Sequence, residues 1–234
     1  MTILAASQQA IMRLVGTKPA AVVSSTDAIC VEMTALAMEA AQEIASANDW
    51  QALTSFHTIT ANGTDEAYPM PDDYDRMVQA TELYDPANWC WGYHHVINQG
   101  DWLQYQISNY GMISPGIWTM RQNQFHFLPK PASGRQAIFP YVSKNIFRDT
   151  NGAPKAAITS DTDEFVLDER LLTLALIWKW LALKRMDYQQ EVDDYNIAMS
   201  EAATRDKGAR VIRKGRPRRS MNIGIAWPWE LGAS

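Results

Sequence analysis

The chain has 234 residues, 47% of them hydrophobic, with 21 basic and 26 acidic side chains and a formal net charge of −5. That is enough length and apolar content to bury the core of one large domain, or of a domain with a substantial insertion, and it excludes wholesale disorder. The charge is unevenly spread: residues 1–204 hold 13 basic against 24 acidic side chains, residues 205–219 eight basic against one acidic. The body therefore repels nucleic acid, while the arm attracts phosphate or an acidic protein surface. Cys30 and Cys90 are the only cysteines, too few for a disulfide framework or a zinc site. The N-terminus lacks the basic segment and apolar core of a secretory signal, so an intracellular origin is expected.

Residues 2–15 read as a short amphipathic helix with Leu4, Ile11, Leu14 and Val15 on one side. A linker containing Pro19 leads to Ser25 or Thr26 as cap of a second helix. Ile29, Met33, Leu36, Ala40 and Ile44 recur there at helical spacing up to Ala47. Trp50 and Leu53 are expected to pack beneath its end. From Thr54 the period changes: Thr54 to Thr60 is β-branched and aromatic, and Asn62-Gly63 signals a turn. Asp72 to Val78 reads as one or two helical turns, and Asp101 as the cap of a short helix through Ile107. Gly116 to Arg121 and Gln124 to Leu128 read as strands joined around Asn123. Gln136 to Ser143 reads as another strand, which Pro140 assigns to a sheet edge.

The last two helices are the most distinctive part of the body. Thr162 or Asp163 is the expected N-cap, with Glu164, Asp168 and Glu169 placing negative charge over the positive end of the helix dipole. Leu171 to Leu183 is apolar on every side except at Thr173 and Lys179, the pattern of a helix without a free solvent face. It falls short of the roughly 20 apolar residues a membrane span needs. Leu174, Trp178 and Leu181 are the expected contacts, shared between neighbouring helices and adjacent subunits. Asp187 with Gln190 three positions on forms a capping-box pattern, followed by the stripe Tyr188, Val192, Tyr195 and Met199.

The order is helix pair, β-rich block, helix pair, tail: an α+β chain whose helical bundle core accepts an inserted β-rich domain and carries an extended C-terminal arm. The expected divisions are residues 1–50 for the N-terminal helices, 51–158 for the insertion, 159–206 for the C-terminal helices and 207–234 for the arm.

No residue set carries chemistry. His57, His94, His95 and His126 lack the ligand spacing of a metal motif, so no metal or cofactor is expected. Asp72, Asp73 and Asp75, and separately Asp161, Asp163 and Glu164, lack the glycine and terminal glutamate of a calcium loop and read as helix caps. The aromatics Tyr84, Trp89, Trp91, Tyr93, Trp102, Tyr105, Tyr110 and Trp118 could stack bases. Yet no lysine or arginine lies between Tyr84 and Met120, and a single-strand channel needs that charge. Packing is the better reading of them. The arm keeps a functional signal: Arg210, Arg213, Lys214, Arg216, Arg218 and Arg219 are followed by Ile223, Ile225, Trp227 and Trp229. Apolar anchors beyond a charged run suit an extension that docks on a partner.

With these features the chain resembles the head-to-tail connector, or adaptor, proteins of tailed bacteriophages, particularly short-tailed ones. The resemblance runs from about Thr26 to Gly208. It rests on Trp50-Gln51-Ala52-Leu53, on Pro71-Asp72-Asp73-Tyr74-Asp75-Arg76, and on Pro129-x-Pro131-x-x-Gly134 leading into Tyr141-Val142-Ser143. It continues through Asp161-Thr162-Asp163, Leu167-x-Glu169-Arg170-Leu171-Leu172 and Asp187-Tyr188.

The resemblance implies a ring of identical subunits, usually twelve, beneath the portal at the capsid vertex of the virion. A C-terminal segment would lie on the portal, the opposite face would meet the tail nozzle or tube, and assembly would take place in the host cytoplasm. DNA would pass through the channel without sequence-specific binding, and an acidic wall suits that passage. The resemblance implies no enzymatic activity and no membrane. Two rival readings stand beside it: a nucleic-acid-binding packaging or regulatory protein gripping with residues 205–219, and an enzyme with a site inside the aromatic block.

Overall fold

A computed structural model describes residues 2–88, 92–108 and 116–207. In chain order, α1 (Ile3–Val15) and α2 (Ala28–Ala47) precede a 3-10 turn at Gln51–Leu53. Strands β1 (Thr54–Thr60), β2 (Ala67–Pro69), β3 (Tyr74–Met77), β4 (Leu83–Tyr84) and β5 (Gly92–His95) then lead to α3 (Gln99–Ser108). After it come β6 (Ile117–Arg121), β7 (Gln124–Leu128), β8 (Gln136–Ser143), β9 (Phe147–Arg148), β10 (Pro154–Lys155) and β11 (Glu164–Phe165). Helices α4 (Glu169–Leu183) and α5 (Gln189–Lys207) complete the described chain. The fold is α+β, with the N- and C-terminal helices packed together and the sheet inserted between them in sequence. It divides into two compact units, residues up to 55 with those from 142, and residues 56–141.

In the first unit α4 is the central helix, packed by α1, α2 and α5. Its Leu171, Leu172, Ala175, Leu176, Ile177 and Leu181 are buried, and the apolar run without a polar face finds its partners largely inside the chain. Cys30, Met33, Ala37, Ala40, Ala41 and Ile44 of α2 face it. Trp50 and Leu53 are buried as expected, and the Trp50 indole donates to the carbonyl of Ile44 at 2.8 Å, closing the end of α2. A small sheet in the order β10-β9-β11 lies before α4, with Phe147 and Phe165 against each other at 5.8 Å.

Several expectations change within this unit. Val15 is 49% exposed rather than inward, because α1 turns Ile3, Ala6, Ala10 and Ile11 to the core. The cap position of α2 is Asp27, and the Ser25 hydroxyl accepts from its amide. The N-cap of α4 is Asp168, which accepts from the Arg170 amide at 2.9 Å; Thr162 and Asp163 stand before β11. At α5 the Asp187 carboxylate accepts from the Gln189 amide, while the Gln190 side chain turns forward to Asp194, so no capping box closes.

The second unit is one sheet in the order β1-β8-β4-β5-β6-β7-β2, with β3 also paired to β8. Its core is aromatic: Tyr93, Trp118, Phe125, Phe127 and Phe139 are all at most 2% exposed. Phe125 and Phe139 lie 4.7 Å apart, Tyr93 and Phe127 5.1 Å in an edge-on pair. The β6–β7 hairpin turns at Gln122-Asn123, both with positive φ, the two-residue turn whose twist matches its strands. Strands β5 and β6 run parallel, as a crossover through α3 permits. Gly92 is required where it stands, since a Cβ there would sit 2.7 Å from the carbonyl of Leu83.

Two expectations are corrected. Asp72 to Val78 contains a strand, not helical turns: Tyr74 stacks on Tyr141 at 5.9 Å and Asp73 accepts from the Tyr141 hydroxyl at 2.8 Å. Pro140 lies in an interior strand. The Val78 amide, just past β3, donates to its carbonyl, and the neighbour on one side of β8 is shared between β4 and β3. Such an interrupted ladder tolerates a residue without a donor.

Candidate assembly site

The residues expected to carry subunit contacts all fall on α4. Leu181 is buried in the chain's own bundle, and Leu174 and Trp178 are half-buried. Trp178 lies against Tyr195 at 6.1 Å and Tyr188 at 6.4 Å, both from α5 or the turn before it. Burial is the main reason that the Tyr195 hydroxyl is pushed up to about 12, with Glu43 adding to it. The arm residues Arg210, Arg213, Lys214, Arg216, Arg218, Arg219, Ile223, Ile225, Trp227 and Trp229 lie outside the described residues, as do Trp89, Cys90, Trp91 and Tyr110.

Two polar devices fix the bundle. Along the α2–α4 seam, Lys179 Nζ sits 2.7 Å from Glu39 and 2.6 Å from Glu43, one helical turn apart. Burial pulls Lys179 downward, but its bonds to the two glutamates outweigh that and hold it above the ordinary lysine range. Lys184 pairs with Glu32 at 2.7 Å and the Trp180 indole donates to the same carboxylate. The hydrogen bond from Lys184 holds Glu32 below its usual value against the opposing effect of burial. The signal for this seam was legible: a lysine in an apolar helix, and glutamates four apart on another.

The second device is the Asp161-Thr162-Asp163 segment. Asp161 Oδ1 accepts from the amides of Val22 and Val23, each at 2.8 Å, and Oδ2 from the Ser24 hydroxyl. Asp163, 1% exposed, accepts from Lys155 Nζ at 2.8 and 2.7 Å and from the amides of Thr159 and Ser160. The backbone carbonyls of the same two aspartates receive the first amides of α1, Ile3 on Asp163 and Leu4 on Asp161. Burial raises both carboxyls, yet the donors prevail and both rest below the usual range. Asp161 binds a distant loop and Asp163 the segment just before it, rather than capping a helix, and Asp73 and Asp75, bonded to Tyr141 and Arg76, do not cap one either.

The histidines lie apart. His95 stacks on Trp118 at 4.1 Å, His57 meets Phe139 edge-on, and burial holds His57, His95 and His126 below their usual value. Among the described residues no three His, Cys, Asp or Glu side chains gather as metal ligands. The short helix α3 starts at Gln99, where the Asn98 side chain, not Asp101, accepts from the Gly100 amide. Of the aromatic block, Tyr93, Trp102 and Trp118 are buried in packing.

A bundle drawn from both ends of the chain, in which Lys179 locks α2 to α4 and Asp161 ties the α1–α2 linker to the segment before α4, is the build of a structural assembly protein. The comparison with protein families places it further: the family described as SU10 adaptor protein matches residues 1–225. The chain belongs to that family, one of phage head–tail adaptors. No curated protein matches it. It is thus a structural protein of the phage virion, and its family implies binding to portal and tail components. No helix among the described residues is long and apolar enough to cross a membrane.

Proposed function

We propose that copies of this chain form a ring, of twelve subunits as the resemblance implies, between the portal and the tail. The ring lines the DNA exit channel, holds the packaged head closed and passes the DNA during ejection. The observation that carries this reading, beside the family, is the division of charge: an acidic body of net −11 over residues 1–204 and a basic arm of net +7 over 205–219. An acidic wall lets DNA slide, whereas the arm is steered toward an acidic portal surface and anchored by Ile223, Ile225, Trp227 and Trp229. No catalytic step enters the reading.

The test is attachment to purified portal particles. Truncation after Gly208, beyond the last described turn of α5, is expected to leave the fold intact and abolish stable attachment. Replacing the six basic residues from Arg210 to Arg219 should mainly slow binding and flatten its salt dependence. Undiminished attachment of the truncated chain would refute a docking arm. Salt-dependent retention of free duplex DNA by the full chain, lost on truncation, would favour the nucleic-acid-binding alternative.

A further inference from the structure

The four histidines of the chain, His57, His94, His95 and His126, all fall within residues 56–141, and the helical unit has none. The side chain that ordinarily titrates between about pH 5 and 8 is thus confined to the sheet block. His126 has the most demanding surroundings. On β7, Phe125 and Phe127 enter the aromatic core, so His126 between them points to the other face. Thr119, opposite it on β6, is 1% exposed and accepts from the Gln99 side chain at 3.1 Å, which brings the start of α3 to this face. The Arg121 carbonyl takes one ring nitrogen of His126, while Nε2 is buried and has no hydrogen-bond partner. A neutral ring leaves only an unfilled acceptor there, whereas a protonated ring buries a charged N–H without an acceptor. Of the charges that face it, Arg121 repels a cation; Glu66 attracts one but also pairs with Lys130 at 3.4 Å. Ala67, opposite on β2, is uncharged.

His57 shares the inner face of β1 with Ile59 and meets two rings of β8 edge-on, Phe139 at 5.7 Å and Tyr141 at 6.5 Å. Asp73 draws a proton toward it, but that carboxylate already accepts from the Tyr141 hydroxyl. His95 is held differently. Its ring lies flat on the Trp118 indole at 4.1 Å, a surface that attracts an imidazolium, and Glu82 attracts one as well. Burial and the adjacent His94 oppose both, and this balance makes His95 the smaller contributor.

We propose that the sheet block is a proton-operated module: uptake of protons at His126 and His57 opens it, with the β6–β7 hairpin and the α3 crossover, while the helical unit stays folded. Burial holds both rings below the ordinary 6.5 in the closed block, so the open block binds protons first. The block is therefore fully stable above about pH 6.5 and loses stability as pH falls through that value toward the lower folded ones. In the helical unit Asp161 and Asp163 give way only below 3.8, and Glu169, raised by burial, is relieved by acid. A window between about pH 4.5 and 6.5 thus acts on one unit and spares the other. This device does not depend on the ring reading above.

Hydrogen exchange of the full chain, read peptide by peptide between about pH 7.5 and 5 and corrected for intrinsic exchange, tests this. The opening constant over residues 117–128 should rise below about pH 6.5, by at most about tenfold per pH unit for each histidine that takes up a proton. Over residues 171–183 it should change less than about twofold in the same window. His126→Asn keeps a donor for the Arg121 carbonyl and His57→Phe keeps the edge-on ring, so the two together should flatten the rise. His94→Asn, at an exposed position, should leave the rise intact. Titration of the wild-type imidazoles by NMR needs no variant: His57 and His126 should titrate below the ordinary value near 6.5. Midpoints at or above that value would overturn the proposal. So would unchanged protection across the window, loosening of block and bundle together, or a rise that persists in the folded double variant.

Discussion

Asp163→Asn keeps the shape of a buried side chain and removes its charge, so it isolates what the carboxylate does. Oδ2 accepts the amides of Thr159 and Ser160 at 2.8 and 3.0 Å, while Oδ1 accepts from Lys155 alone. The asparagine will keep its oxygen on the two amides and turn its NH2 toward Lys155, donor against donor. One charge-assisted bond is then lost, about 1.5–3 kcal/mol. Lys155 is 23% exposed and regains water, which keeps the total near 2–3 kcal/mol. Asp163→Ala also strands both amides, at roughly 1–3 kcal/mol each, and should cost about 4–9 kcal/mol. For a chain of this size the asparagine variant should melt about 5–10 °C lower. Calorimetry measures the loss, and hydrogen exchange at Ile3, whose amide rests on the Asp163 carbonyl, should report loosening of α1. Equal and small effects of both variants, under about 1 kcal/mol, would refute the latch.

Asp161 and Asp163 rest below their ordinary pKa when folded, so their stabilisation is complete above the unfolded value near 3.8 and is lost as pH falls through the lower folded values. Urea midpoints should therefore drop below about pH 4 in the wild type, and drop less in Asp161→Asn/Asp163→Asn. Lys179→Met should change stability by no more than about 1 kcal/mol in urea melts, since Glu39 and Glu43 are 65% and 49% exposed and rehydrate. Leu176→Ala, fully buried on α4, should cost about 2–5 kcal/mol by the same measurement, and Phe139→Ala in the sheet about 3–5 kcal/mol.

What could be read ahead of the structure was what local pattern decides. Thr54 to Thr60 and Gln136 to Ser143 stand as strands with the expected bounds, because alternation and β-branching act within a few residues. Leu171 to Leu183 showed its central place by having no polar face, although Leu174, Trp178 and Trp180 are only half-buried in the chain and Leu183 is 54% exposed. The failures share a different cause. Asp163 before an apolar run looks like a cap, yet its donors are Lys155 at the end of β10 and Thr159 and Ser160 in the segment that follows it. Asp161 reaches back to Val22 and Val23, which no local rule could anticipate. Tyr74 became part of a strand through Tyr141, at a distance in sequence that acid-rich turn chemistry does not register.

Strand β1 enters the sheet block and β8 leaves it, and the two are hydrogen-bonded neighbours. Ala61, just past β1, exchanges backbone bonds with Gly134 and Arg135 just before β8, so the strands run in opposite directions and the doorway to the block is closed by its own ladder. Entry and exit are about one strand spacing apart, close to 4.8 Å. A polypeptide excursion that returns to its starting point imposes little on its host, and lengthening it adds only about 0.6 kcal/mol of closure entropy per doubling. The block is therefore an exchangeable cassette. Its loops can be rewritten to suit another neighbour in the particle while the junction at Thr54 and Ser143, and the packing of α4 with its three helices, stay as they are.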